Sequence, residues 1–278
     1  MKFNSNNSKL NYDEPIELNN GVYWIGFVDN KHSLQCNPYI IIEGDEAVLI
    51  DGGSRPDFSK IMMKILQIGL EPSIITRLIY HHYDPDLCGS ISNFEEIIGN
   101  EDLKIISHSE NNIFIKHYSV SSPLLSITNM NYEFIFKTGR KLKFITTPYS
   151  HSPGSFITFD EKSGILFSSD LFGSYDMKQA LFLQMDEDCS VCNDYTKCGH
   201  GSSYCALNGI FYFQRKIMTS EKALKIALDK IKKLNAKVVA PQHGSIINNE
   251  KSIKIVIEKL QELKGIGIDG YIQSDGNE

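Results

Sequence analysis

The chain has 278 residues, of which 41% are hydrophobic, 10% aromatic and 22% charged, with 28 Lys+Arg against 34 Asp+Glu. Residues 1–15 hold no apolar core of a signal peptide, and no stretch approaches the roughly 18 apolar residues of a membrane span, so neither secretion by that route nor membrane insertion is expected. A formal charge of −6 without a Lys/Arg stripe gives no footprint for nucleic acid, and a cytoplasmic location is expected.

After a polar N-terminal arm, GVYWIGFV (21–28), PYIIIEG (38–44) and EAVLIDG (46–52) are β-rich runs separated by turn residues, and they are predicted as strands of one sheet. In PDFSKIMMKILQIG, Phe58, Ile61, Met62, Ile65 and Leu66 recur at helical spacing between Pro56 and Gly69, which predicts a helix lying on a sheet face. The run ITRLIYHH (75–82) reads as a buried strand that ends on two histidines and leads into the acidic YDPD, a place where an active-site loop is expected. LKIISHS (103–109) and an ENNIFIKHY helix continue the alternation, and YEFIF, KLKFITTP, SFITFDEKSG and ILFSSD supply four consecutive strand-like pieces. Helical patterns follow near 208–218 and at 221–235, the second with Leu224, Ile226, Leu228, Ile231 and Leu234 near the helical period and a solvated basic face. A short KVVAPQHG strand and turn precedes a last helix at 251–264.

Two strand-rich blocks of similar size interleaved with helices predict an α+β fold, two sheets face to face with helices outside, in αββα layers. No repeat or long linker divides the chain, so 1–278 is expected to be a single domain. The exception in texture is 185–207, MDEDCSVCNDYTKCGHGSSYCAL, a polar, cysteine-rich inserted loop.

Four of the six cysteines, Cys189, Cys192, Cys198 and Cys205, fall in that loop, while Cys36 and Cys88 stand alone as small buried hydrophobes. Without a signal peptide, such a cluster points to metal or redox chemistry in a reducing compartment. The spacing C-x-x-C-x5-C-x6-C, with His200 between the last two, suits one side of a tetrahedral thiolate site and matches no ferredoxin run. Structural zinc, an iron–sulfur cluster, a redox dithiol and free cysteines all stay open for it.

The HYDPD segment puts His82, Asp84 and Asp86 at alternating positions, with Pro85 forbidding a regular helix through them. Taken alone this pattern is more often a solvated turn than a metal site. Three further segments change the balance: TTPYSHSPGS places His151 just past a strand, ILFSSDLFG places Asp170 at another strand end, and KVVAPQHGS places His243 at a third. Neither a helix cap nor a core contact requires them there. His81, adjacent to His82, points the opposite way if the strand continues and reads as structural; Tyr83 and Tyr149 flank candidate ligands.

With these motifs the sequence resembles the metallo-β-lactamase superfamily over about residues 15–262, and within it the flavodiiron proteins and the stand-alone oxygen-binding di-iron proteins. The opening PIELNNGVYWIG, the LIDGG turn at Asp51, the LFSSDLFG stretch and a carboxylate, Asp84, as second ligand carry the likeness. The resemblance implies a four-layer αββα metallo-β-lactamase sandwich. By the same resemblance His82, Asp84 and His151 hold one metal, Asp86 and His243 a second, and Asp170 bridges them. Three imidazoles and three carboxylates form a hard, oxygen-rich shell that suits iron or manganese better than a histidine-dominated zinc site does. Against two ferrous ions the carboxylates leave about +1, which favours an oxo, hydroxo or peroxo bridge.

What the resemblance implies for function is a di-iron protein that binds and reduces O2 or NO, as an oxygen sensor or as a reductase fed by an external electron donor or signalling partner, assembled as a homodimer. Two departures matter. The family's histidine after Asp86 is Leu87 here, which leaves the second metal one protein ligand fewer, and the residues from 266 onward are too few for a flavodoxin-like unit, so no FMN is expected in this chain. The rival reading is a dinuclear zinc metallohydrolase of the same superfamily.

Overall fold

The computed structural model describes residues 10–27, 36–175, 181–195, 198 and 205–275. Among them, two seven-stranded sheets form. The first runs in chain order: β1 (Ile16–Asn19), β2 (Val22–Trp24), β3 (Tyr39–Glu43), β4 (Glu46–Ile50), β5 (Ile75–Ile79), β6 (Lys104–Ser107) and β7 (Leu124–Ser126). The second contains β8 (Glu133–Ile135), β9 (Lys141–Thr146), β10 (Phe156–Asp160), β11 (Ile165–Phe167), β12 (Phe182–Leu183), β13 (Val238–Ala240) and β14 (Ile246–Ile247), in the order β12-β14-β13-β11-β10-β9-β8. The four strand-like pieces expected in the middle of the chain are the antiparallel meander β8 to β11.

Period-two alternation builds the layers. Val48 and Ile50 of β4 face the other sheet, where they meet Phe144, Phe156 and Phe167, while Ala47 and Leu49 face helices. Strands β11 and β13 do the same, with Ile165, Phe167, Val238 and Ala240 inward and Leu166 and Val239 outward. Apolar residues on both faces are what a sheet covered on both sides requires. Helices α1 (Phe58–Gln67), α2 (Pro85–Cys88), α3 (Ile91–Ile98) and α4 (Ser109–Ile115) belong to the first half, and Ile61, Ile65, Ile91 and Phe94 seal the outer face of the first sheet. Behind α5 (Glu187–Val191), α6 (Ala206–Ile217), α7 (Glu221–Ile231) and α8 (Glu250–Glu262) cover the second sheet through Phe211, Leu224, Leu228, Val256 and Leu260, and α9 (Ile268–Asp275) follows. This is the predicted αββα arrangement.

Details depart from the sequence reading. Leu66 and Ile226 are exposed, because each is turned about 100° from the buried stripe of its helix. Helix α3 has no counterpart among the expected elements, and α7 ends at Ile231 rather than 235. Among the described residues no helix is long and apolar enough to cross a membrane.

Strand direction positions the site. Because β9 and β10 are antiparallel, β10 and β11 antiparallel, and β11 and β13 parallel, β9, β11 and β13 all point the same way. The loops that leave their C-terminal ends therefore share one edge of the second sheet. Those loops carry His151, Asp170 and His243.

Candidate metal centre

At the end of β5 the two histidines diverge as alternation predicts. His81 is fully buried, with Nδ1 2.7 Å from Asp51 Oδ2 and Nε2 2.9 Å from Thr158 Oγ1, so it ties the first sheet to the second. His82 faces the acidic loop. Its Nδ1 lies 3.8 Å from Asp84 Oδ2 and its Nε2 3.6 Å from Asp170 Oδ1. His151 Nε2 is 2.7 Å from the same Asp84 oxygen, and His243 Nε2 stands 3.1 Å from Asp86 Oδ2 and 3.5 Å from Asp170 Oδ1. All six side chains singled out in the sequence thus meet at one place, with Asp170 between the two halves. Among the described residues, His82, Asp84 and His151 bring one ligand atom each within 4.8 Å of one another.

The expectation that Pro85 keeps HYDPD irregular is corrected. Pro85 opens α2, with Asp84 as the extended residue before it and Asp86 in the first turn. A proline at that position loses no hydrogen bond, because the first N–H groups of a helix have no partner within it. The remaining loops are held in uncommon backbone conformations: Tyr149, His151, Ser169 and Phe172 have φ of 61°, 90°, 54° and 68°. Such strain persists only where surrounding contacts over-determine it.

Those contacts come from residues that the sequence did not single out. Asn37 is fully buried; its Nδ2 donates to the carbonyls of Pro241 and Gly244 at 3.1 and 2.8 Å, and its Oδ1 accepts from Trp24 Nε1 at 2.9 Å. Tyr39 Oη donates to the Pro241 carbonyl at 2.8 Å. Together they clamp the turn that presents His243. Gln214 of α6 donates to the Asp170 carbonyl at 2.8 Å, and Asn111 of α4 donates to the carbonyls of His81 and Gly154 at 3.2 and 2.9 Å. A Cβ at Gly154 would stand 2.3 Å from Asn111 Oδ1, so this approach requires glycine. Asn37→Ala should cost about 2–3 kcal/mol, because it leaves the Trp24 donor and two carbonyls buried and unpaired. Urea denaturation checks the cost, and a parallel loss of metal affinity checks that the clamp serves His243.

Electrostatics divide the site into an acidic rim and a buried floor. Burial pushes Asp84 up, but the hydrogen bond from His151 and the neighbouring His82 ring hold it well below the ordinary carboxylate range. Burial likewise opposes the ionised form of Asp170, and the charge of His82, with His243 and His151, brings it down to about 2. For His82, burial favours the neutral ring and the Asp170 charge more than reverses this, so its pKa lies well above 6.5. His151 is raised in the same manner, burial opposing and Asp84 prevailing. Two buried atoms, His82 Nδ1 and Asp170 Oδ1, have no hydrogen-bond partner. Orphaned donor atoms of this kind in a set of three imidazoles and three carboxylates fit a pair of cations.

The cysteine loop behaves differently. Among the described residues Cys189, Cys192, Cys198 and Cys205 form no metal-binding group, and all four are free thiols. Burial raises the Cys189 thiol, and the neighbouring Asp186 acts on it in both directions. His200 lies outside the described residues. Of the flanking tyrosines, Tyr83 stacks on Phe114 with centroids 4.4 Å apart, and Tyr149 is exposed.

A family model described as "ODP family beta lactamase" matches residues 34–244. A nitric oxide reductase of Moorella thermoacetica is 23% identical over 254 residues, which cover 84% of this chain and 57% of that protein. The chain spans between 33% and 57% of the length of the first curated relatives it matches. Among solved structures, the chemotaxis sensor ODP as a peroxy diiron species superposes with a TM-score of 0.71 at 24% identity, covering 94% of this chain and 98% of that one. Its apo state from T. denticola gives 0.71 at 25%, over 92% and 99%. Rubredoxin oxygen:oxidoreductase of Desulfovibrio gigas gives 0.74 at 17%, over 90% of this chain and 61% of its own.

Proposed function

Because this chain belongs to the ODP family of β-lactamase folds, we propose that it is a di-iron protein that binds O2, with NO as an alternative ligand, and serves as an oxygen sensor. The observation that carries this reading is the convergence of six histidine and aspartate side chains around two buried atoms without hydrogen-bond partners. His82, Asp84 and His151 would hold one iron, Asp86 and His243 the other, and Asp170 would lie between them. Iron held by these residues would bring redox chemistry to a small diatomic ligand.

The chain's own residues prepare the place. His82, Asp170 and His243 make the buried floor, while the half-buried Asp84, Asp86 and His151 form the mouth. The Phe213 ring lies 5.5 Å from that of His243 and lines one side with apolar surface. The likeness to a chemotaxis sensor over nearly the whole of both chains supports sensing. An external electron donor or signalling partner and a homodimer belong to the same proposal, and sedimentation tests the dimer.

Metal uptake should release protons. The raised pKa values of His82 and His151 mean that these rings hold their protons to higher pH than a free imidazole, whereas the lowered values of Asp84 and Asp170 favour the ionised carboxylates. Apparent iron affinity should therefore keep rising as the pH climbs above the ordinary imidazole range, since a ligand must shed its proton first. Competition titrations at several pH values check this sign.

The function is tested by reducing the iron-loaded protein anaerobically and mixing it with O2 or NO in a stopped flow. A sensor gives a lasting spectral change after one equivalent and no continuing gas uptake. Continued uptake with a rubredoxin-like donor would assign a reductase instead, and no spectral change with either gas would end the proposal.

A further inference from the structure

Gln242 stands next to His243 in the sequence, yet its side chain touches both halves of the site. Its Nε2 donates to Asp86 Oδ2 at 2.9 Å, and its Oε1 lies 2.9 Å from His82 Nε2. The orientation of this carboxamide follows from chemistry. An ionised carboxylate only accepts, so the amide nitrogen must face Asp86, and the amide oxygen is left to accept from the His82 ring.

The residue is 1% exposed, and its main chain is pinned independently of the side chain: N donates to the Ser169 carbonyl at 2.9 Å, and the carbonyl accepts from Asn37 N at 2.6 Å. The side chain is therefore delivered to this position by the turn after β13 and by the loop that carries Asp170. Leu87, one residue past Asp86, is wholly buried beneath α1 and α3 and offers no donor atom. Asp86 is the more solvent-exposed of the two residues that Gln242 contacts, and without the amide the His243 ring, 3.1 Å from the same oxygen, is left to hold it against water.

We propose that Gln242 is a positioning residue that couples the two metal positions, holding Asp86 for the second ion while orienting His82 for the first. Partners that orient metal ligands are worth about 10–100-fold in metal affinity. The larger share should fall on the second position. There Leu87 leaves fewer protein ligands, whereas His82 at the first position keeps Asp84 and His151 beside it. This inference rests on the di-metal reading.

The test is anaerobic ferrous titration of the full chain, wild type against Gln242→Ala and Gln242→Met, with thermal unfolding of each apoprotein. Methionine keeps the length and apolar volume but removes the amide. Both variants should bind the second iron about 10–100-fold more weakly, hold the first within about threefold, and unfold close to wild type. A structural role alone would lower the melting temperature in Gln242→Ala, restore it in Gln242→Met, and leave the second iron unchanged; that result would overturn the inference. Wild-type protein that takes up two irons while both variants match it removes the role of Gln242 only. Wild-type protein that takes up fewer than two removes the di-metal reading itself.

Discussion

Asp170→Ala should reduce iron from two per chain to one or none and abolish the response to O2. Asp170 is the carboxylate that faces both buried imidazoles, 3.6 Å from His82 and 3.5 Å from His243, and its Oδ1 has no hydrogen bond to lose. Removing it deprives both metal positions of a shared anion and takes away the charge that ranks first among the influences raising His82. The affinity loss should exceed 100-fold for at least one ion, beyond the range for residues that only orient ligands. Elemental analysis after anaerobic purification measures it. Folding should survive, because Gln214 grips the main-chain carbonyl of residue 170 and not its side chain.

Arg140→Leu should be the most damaging single change to stability outside the site. The guanidinium is buried and binds Asp160 through two hydrogen bonds, one of them Nε to Oδ1 at 3.1 Å, while Nη1 donates to Glu43 Oε2 at 3.0 Å and to the Asn20 carbonyl at 2.9 Å. Glu43 ends β3 in the first sheet and Asp160 ends β10 in the second, so one side chain fastens the two sheets at the edge where β9 begins. Removing one partner of a buried ion pair leaves an uncompensated charge and costs about 3–5 kcal/mol. In a chain of this size that corresponds to a fall of about 10 °C in Tm. Burial raises Glu43, and Lys162, Thr138 and Arg140 together bring it below its ordinary value of 4.5. Its contribution is therefore complete above that pH and is lost as the pH falls through the lowered native value. Below that range wild type and Arg140→Leu should converge in part, which thermal unfolding at several pH values reads directly.

The layers were legible because alternation is a local property: Ala47, Val48, Leu49 and Ile50 announce a strand covered on both faces without reference to anything distant. The six His and Asp residues were legible for a related reason, since each follows a β-run at a point where packing does not demand a titratable group. Strands β12 and β14 were not, because each is two residues long, and β12 exists by pairing with a strand some sixty positions away, Phe182 with Ile246. Asn37 and Gln242 escaped for the same reason. Asn37 meets Gly244 across 207 residues, and Gln242 meets His82 across 160, contacts that no periodicity or motif encodes. Pro85 misled in the opposite direction: its missing N–H bars a helix interior but suits a helix start. The cysteine loop has the spacing of a half-site, yet its described thiols form no metal-binding group.

Mössbauer spectroscopy of protein expressed with 57Fe and purified anaerobically, joined to elemental analysis, addresses the reading most directly. The proposed di-iron centre predicts close to two irons per chain, behaving after oxidation as one magnetically coupled pair that persists in a variant lacking Cys189, Cys192, Cys198 and Cys205. Zinc retained in the His/Asp site from iron-replete medium, or a single uncoupled iron, would contradict a di-iron centre and turn attention to hydrolysis.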